Sequence, residues 1–461
     1  MTVFLLRIWE IQNVVNRASL SSLGIWIYTL TMMNQKPELI TEPIPYKTLF
    51  PWLNLFRVFR LAVDFQKILL AIAAILLLML GNQLFNQLPF APRQPVSNRS
   101  ALVHQRIEFP PRHADLFLHS PQQVLTPVPE PSPGLVNLIR GTTLLEPMSY
   151  FTRPVLTLFQ TGASWSILAY ATTQLLWAII IWAVFGGAIT RIAAIQFAQD
   201  EHIGIRAALA FSLKRILSLV SAPLLPFAGM GFFWILCLLI GLFGNIPSAG
   251  GVIVSLLWGL AFLFAFVLSL ILLVTLAGWP LMMTTISVED SDGFDGLSRI
   301  FSYIFGRIWY FLWLVFVTLC YGAACLFFAE LLLQLVSRLA FWGVSWGMGS
   351  EQAIQLFNQE EMTLATTISL GWGSILNITF SGLVISFFWS ANTVIYFLLR
   401  KCDDGTPLDH VYYMEEETVS ANELPLAGVA KAGEPVIERP VTPETTTDEA
   451  QQDTKAQDDA E

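Results

Sequence analysis

Gly343-Val344-Ser345-Trp346-Gly347 has the spacing of a nucleophile elbow. A serine there transfers acyl groups only when a strand–turn–helix bend presents its hydroxyl to an acid and a histidine that follow in the chain. These five residues are expected in a short outer loop between two apolar runs, and the only later histidine, His410, falls on the opposite side of the membrane. No catalytic residue is predicted from them. His104, His113 and His119 could ligate a metal, but spacings of nine and six fit no common zinc pattern and no cysteine stands among them. They read as polar residues of a loop. Cys237, Cys320, Cys325 and Cys402 show no C-x-x-C spacing, and no P-loop, dinucleotide fingerprint or H-E-x-x-H occurs. No cofactor or metal is expected.

Polar groups inside apolar runs carry more weight. Glu330 is the one acid in a predicted span, and an ionisable group within a membrane is costly enough to be a functional candidate. Gln334, Asn377 and Asn392 share its setting. Glu330 follows Ile308 by 22 residues, near the outer end at about 1.5 Å per residue. A transport or proton role and a simple reach to the interface both remain open.

The elements that must position these groups follow from composition. The chain has 461 residues, 54% apolar and only 13% charged, with a mean hydropathy of +0.60. No Asp, Glu, Lys, Arg or His occurs from Ile216 to Val288, and Met362 to Leu399 is uncharged as well. A bilayer core penalises unpaired charge, so the class is all-α integral membrane. Residues 415–461 hold 13 acids and three bases, a balance of −10, whereas the other 414 sum to +1 and give a total of −9. The acidity therefore belongs to the tail, and no basic patch supports nucleic-acid binding.

At about 20 apolar residues per span, spans are predicted near 67–88, 165–190, 219–244, 250–286, 308–336 and 364–399. The chain then divides into an N-terminal segment 1–44, with Met32 and Met33 as alternative starts, and a stretch 45–88 holding an interfacial helix and the first span. A proline-rich loop follows at 89–164, regaining apolar character over Leu144–Phe159 as a second interfacial helix. Next come two repeat copies, 165–249 and 250–336, an outer loop 337–363, a sixth span 364–402 and a disordered tail 403–461. Short-loop basic residues gather on one side at Arg57, Arg60, Lys67, Arg191, Arg206, Lys214, Arg215, Arg299, Arg307, Arg400 and Lys401, against Arg338 on the other. By the positive-inside rule both termini are cytoplasmic and loop 89–164 is extracytoplasmic, in the cytoplasmic membrane of the cell.

The repeat rests on an offset of 92 residues, which pairs Gly186 with Gly278, Asp200 with Asp292, Gly204 with Gly296 and Arg215 with Arg307. Each copy reads as span, cytoplasmic amphipathic helix, span. In the second copy Leu297, Ile300, Phe301, Ile304 and Ile308 share a face. Asp200 and Asp292 are expected as helix N-caps, and Arg215 and Arg307 as cations at helix C-termini. Arg206, Lys214, Arg215, Arg299 and Arg307 are candidate contacts for lipid headgroups or a partner helix; the plainer reading makes the short helices elbows between spans.

Glu289-Asp290-Ser291-Asp292-Gly293-Phe294-Asp295-Gly296-Leu297-Ser298-Arg299 and Thr393-Val394-Ile395-Tyr396-Phe397-Leu398-Leu399-Arg400 resemble segments of a family of bacterial multi-pass membrane proteins to which no activity is assigned. The resemblance covers roughly residues 45–417. The span–amphipathic helix–span unit is also similar to membrane domains attached to some glycerophosphodiester phosphodiesterases, though no phosphodiesterase domain is present here. Neither resemblance implies an activity or a site residue.

The expected function is a non-catalytic membrane protein that organises lipids, or membrane and cytoplasmic proteins bound by its tail, through its cytoplasmic helices. The alternatives are a permease or channel using the repeat interface and, least favoured, an integral membrane enzyme.

Overall fold

The computed structural model describes residues 50–91, 107, 144–160, 162–247, 249–349, 352, 353, 356, 363–412, 426–429 and 435–438. The alternative starts, the three loop histidines and most of the acidic tail, with its expected disorder, lie outside the described residues. Residues 1–57 and 58–461 form two compact units. The described part of the first is a 3-10 turn, Pro51–Arg57, in which the Asn54 amide donates to the Pro51 carbonyl at 2.9 Å.

The second unit is a helical membrane bundle. Its elements are α1 (Val58–Ala62), α2 (Phe65–Phe85), α3 (Glu146–Leu158), α4 (Trp165–Gln199), α5 (Ile205–Lys214), α6 (Ile216–Leu242), α7 (Gly250–Glu289), α8 (Gly293–Gly306), α9 (Ile308–Met348) and α10 (Leu364–Asp403). Six of these, α2, α4, α6, α7, α9 and α10, are long and apolar enough to cross a membrane. In α2 the two faces show the reason. Leu70, Ala71, Ala74, Ile75 and Leu78 face protein, while Phe65, Leu69, Leu76, Leu80 and Leu84 remain exposed. A helix apolar on every side is stable only where the outer side meets lipid. The side chain of Asp64 fixes its start by accepting from the Gln66 N–H at 3.0 Å.

Ion pairs between span ends show the alternation directly. Arg60 before α2 meets Asp200 after α4, Arg215 before α6 meets Asp290 after α7, and Arg307 before α9 meets Asp403 at the end of α10. All lie at one end of the bundle, here called the inner end, which also carries α5 and α8. Span, short helix, span thus occurs twice, as α4–α5–α6 and α7–α8–α9.

Several boundaries depart from expectation. The helix α9 runs on to Met348, so the residues assigned to an outer loop from 337 belong to its last turns, and the chain first breaks at Gly349, where φ is +95°. Helices α7, α9 and α10 have 40, 41 and 40 residues, about 60 Å each at 1.5 Å per residue. Two elements expected at the interface are packed into the bundle. The last carbonyl of α1 accepts from Ser386 of α10 at 2.7 Å. In α3, Phe151 stacks on Trp279 at 4.8 Å with the rings 21° apart, and Val155 is buried. In α8 the buried face is Gly293, Gly296, Ile300, Tyr303 and Ile304, turned toward the glycines relative to the expected stripe and leaving Ile308 exposed. Bare Cα atoms let this helix approach α7, since a Cβ on Gly296 would stand 3.2 Å from the Met282 carbonyl.

In the tail the described residues are 404–412 and two four-residue strands, β1 (Leu426–Val429) and β2 (Pro435–Glu438), paired antiparallel.

The core of the bundle is aromatic: Trp182, Trp279 and Trp389 are fully buried, with ring centroids 5.7 Å apart for Trp182–Trp389 and 5.6 Å for Trp279–Trp389. A Cβ on Gly186 would lie 2.5 Å from the Trp389 ring, which has no free space to move into. Gly186→Val is therefore expected to destabilise the bundle by about 1–3 kcal/mol, as overpacked cores do. Gly259→Ala, where a Cβ meets nothing within 4 Å, is expected to be neutral or stabilising by up to ~1 kcal/mol. Thermal unfolding in nanodiscs compares the two.

Candidate functional site

Helix α7 ends on two consecutive acids. Glu289 is its last residue, and Asp290 adopts the left-handed conformation at φ 56° as its C-cap, donating its N–H to the Ile286 carbonyl at 3.0 Å. Carboxylates at the negative end of a helix dipole need cations close by. Arg215 clasps Asp290 with two bonds, Nε to Oδ1 at 2.5 Å and Nη2 to Oδ2 at 2.6 Å. Glu289 accepts from Arg299, from Arg400 Nη1 at 3.1 Å and from the Tyr396 hydroxyl at 2.5 Å. Arg299 also bonds Asp295 at 3.0 Å. Arg400 is 2% exposed, with its guanidinium 5.0 Å from the Phe397 ring centroid and Nη2 donating to the His410 carbonyl at 2.5 Å. Tyr303 donates to Asp404.

Environment sharpens this pairing. Its hydrogen bonds to the Asp290 carboxylate hold the Arg215 guanidinium above its ordinary pKa, against a smaller opposing effect of burial. Burial acts to lower that of Arg299, but Asp295 and the nearby Glu289 charge raise it overall. Burial and then Asp404 push the Tyr303 phenol up. These groups hold one another.

A second set of buried cations closes the same end. Lys67, fully buried, donates to Gln196 Oε1 at 2.5 Å, and Gln196 Nε2 lies 2.5 Å from Asp64 Oδ2 and 2.8 Å from His202 Nδ1. Arg191 donates to the Ser287 carbonyl at 3.0 Å and the Tyr412 carbonyl at 2.6 Å, with its guanidinium 4.6 Å from the Phe211 ring. Tyr412 returns a bond to the Val288 carbonyl at 3.1 Å. The chain after α10 is thereby strapped across the inner end.

The residues singled out in the sequence do not converge. Glu330 is buried in α9 and accepts from Gln334 at 3.3 Å. Asn377 clasps the backbone of Ile107, accepting from its N–H and donating to its carbonyl, both at 2.9 Å, which ties that residue to α10. Asn392 lines an apolar cavity of about 250 Å³ between α3, α7, α9 and α10. Ser345 is buried in the last turns of α9, a helix and not an elbow. Asp200 ends α4 in the left-handed conformation at φ 55° and pairs with Arg60, so it is a C-cap, while Gly204 precedes α5. Asp292 stands at the N-cap position of α8, but its side chain makes no capping bond. Arg215 and Arg299 are engaged by carboxylates.

Arg206 and Lys214 do point outward, as does Arg307, which lies 3.8 Å from Asp403. Around them are exposed apolar side chains: Leu213, Leu217 and Phe294, with Phe305 and Trp309 farther along. The inner end thus wears a belt of aromatic, aliphatic and basic groups over a rigid ionic hub.

Sequence reasoning missed Glu289, Arg400, Tyr396, Lys67 and Arg191. A signal existed for three of them: Glu289 and Arg400 bound the two uncharged runs, and they lie with Tyr396 in the two segments that carried the resemblance. The fold brings those segments together.

The chain matches no protein-family model, no curated protein and no solved structure. Among the described residues no three His, Cys, Asp or Glu side chains are placed to hold a metal.

Glu289→Gln takes the carboxylate from Arg400, a side chain only 3% exposed, and leaves Arg299 with Asp295. The expected cost is about 3–5 kcal/mol. Arg60→Ala breaks a pair whose side chains are 71% and 70% exposed, and should cost at most ~1 kcal/mol. Denaturant unfolding in nanodiscs measures both; equal effects would contradict the hub.

Proposed function

We propose that this multi-pass membrane protein is non-catalytic and organises bilayer lipids, together with proteins that its tail recruits, at the cytoplasmic face. The observation that carries the reading is the inner belt. Trp309 and Leu217 are each 83% exposed beside Arg206, Lys214 and Arg307, and aromatic rings with cations at a span end are the side chains that favour headgroups. The hub below holds the belt rigid, because Arg215 and Arg299 tie α5 and α8 to the end of α7. The two span–helix–span units are read as copies of one ancestral unit, each supplying half of the belt; Arg215 and Arg307, 92 residues apart, both occupy the junction of short helix and following span.

The buried Glu330–Gln334 pair favours a permease as the second reading. A proteoliposome flux lost in Glu330→Gln would select it.

On this reading the inner end, where the basic residues gather, faces the cytoplasm. A membrane-impermeant maleimide should then label the exposed Cys402 in inverted vesicles and leave it unlabelled in sealed right-side-out cells; the reverse pattern would overturn the orientation. At about 1 kcal/mol for each basic residue near an anionic surface, replacing Arg206, Lys214 and Arg307 with alanine should lower co-purified anionic phospholipid on the order of tenfold or more, at unchanged thermal midpoint. Unchanged lipid content would defeat the reading.

A further inference from the structure

We propose that the cavity between α3, α7, α9 and α10 holds part of an acyl chain of a bilayer phospholipid. Its volume is about 250 Å³. At roughly 30 Å³ for each water-sized group, that is room for on the order of eight methylenes, a segment of one chain. The wall is hydrocarbon: Leu145, Pro280, Phe311, Val315, Phe388 and Ile395. The two polar side chains in the lining already serve their own helices. Thr318 donates to the Leu314 carbonyl at 2.7 Å, and Asn392 to the Phe388 carbonyl at 2.8 Å. A buried water needs two to four polar partners, so a hydrated solute is poorly matched here, whereas an alkyl chain needs none.

Position selects the source of that chain. The lining residues of α9 and α10 lie within a few turns of the inner ends of their spans, so the cavity sits at hydrocarbon depth. Leu312 at its rim is half exposed, and Trp309, Trp313 and Phe316 beside it on α9 are exposed too. The mouth therefore opens toward the bilayer. One turn before Phe311 stands Arg307, half exposed and only loosely paired with Asp403 at 3.8 Å. A phosphate at Arg307 and a chain in the cavity fit one phospholipid, with the charge at the interface and the hydrocarbon below it.

This site does not depend on the lipid-organising role of the belt, and either can fail alone. The test uses full-length protein in phosphatidylcholine nanodiscs doped with phosphatidylglycerol that carries a diazirine on one acyl chain. After irradiation, adducts should concentrate on the peptides 311–319 and 387–395. They should fall several-fold in Ala391→Phe, which fills the cavity, and hold steady in Leu260→Phe on the exposed face of α7. Ala277→Phe, nearer the rim, provides a second filled variant if Ala391→Phe does not fold, and the wild-type adduct map stands without either. Adducts spread evenly over the exposed faces of α6 and α7, or unchanged in the folded filled variants, would overturn the proposal.

Discussion

Glu289 sits where a carboxylate is least welcome, at the negative end of a forty-residue apolar helix and 15% exposed in its side chain. Its charge holds only because Arg299 from α8 and Arg400 and Tyr396 from α10 converge on it. That requirement organises the inner end. It draws the end of α10 to the end of α7, folds α8 back along α7, and leaves Arg400 facing the chain beyond α10, whose carbonyls at Pro407 and His410 it holds. The adjacent Asp290 recruits Arg215 in the same way and fixes the start of α6. Two neighbouring acids thereby set the relative placement of four helices, α6, α7, α8 and α10.

The outer half obeys a different constraint. Three helices of about 60 Å are twice the hydrocarbon thickness of roughly 30 Å, and a tilt near 40°, the upper end of the usual range, accommodates about two thirds of that length. Exposed Leu256, Phe262, Trp346 and Ile368 mark the outer stretches. At this end Asn377 grips Ile107, and between α2 and α4 the Tyr170 hydroxyl donates to Asn86 at 2.7 Å and Gln174 to Asn82 at 3.4 Å. The belt and the cavity mouth both adjoin the end where these ion pairs gather.

Span number and order were legible in the sequence because uncharged runs of this length are stable in a bilayer and in few soluble folds. Less was legible about where the spans stop. Ser337, Arg338, Gly343 and Gly347 look like loop chemistry, yet Leu339, Phe341 and Val344 between them keep every turn of α9 apolar, and the helix continues. Asp200 looked like a cap for the helix that follows it; the helix that precedes it needed an αL residue more, and Arg60 neutralises its carboxylate. The hub itself was not legible. Glu289 and Arg400 are 111 residues apart, and no local pattern states that two charges at the ends of separate apolar runs will meet. Local rules locate elements, and only packing pairs their ends.

A double-mutant cycle on Glu289 and Arg400 tests most directly whether this clasp holds the inner end together. Unfolding free energies in nanodiscs would be compared for the wild type, Glu289→Gln, Arg400→Gln and the double variant. The account predicts a coupling of about 1–3 kcal/mol, because Glu289→Gln strands the buried Arg400 guanidinium while Arg400→Gln leaves Glu289 to Arg299 and Tyr396. Single effects that add to within ~0.5 kcal/mol would contradict it.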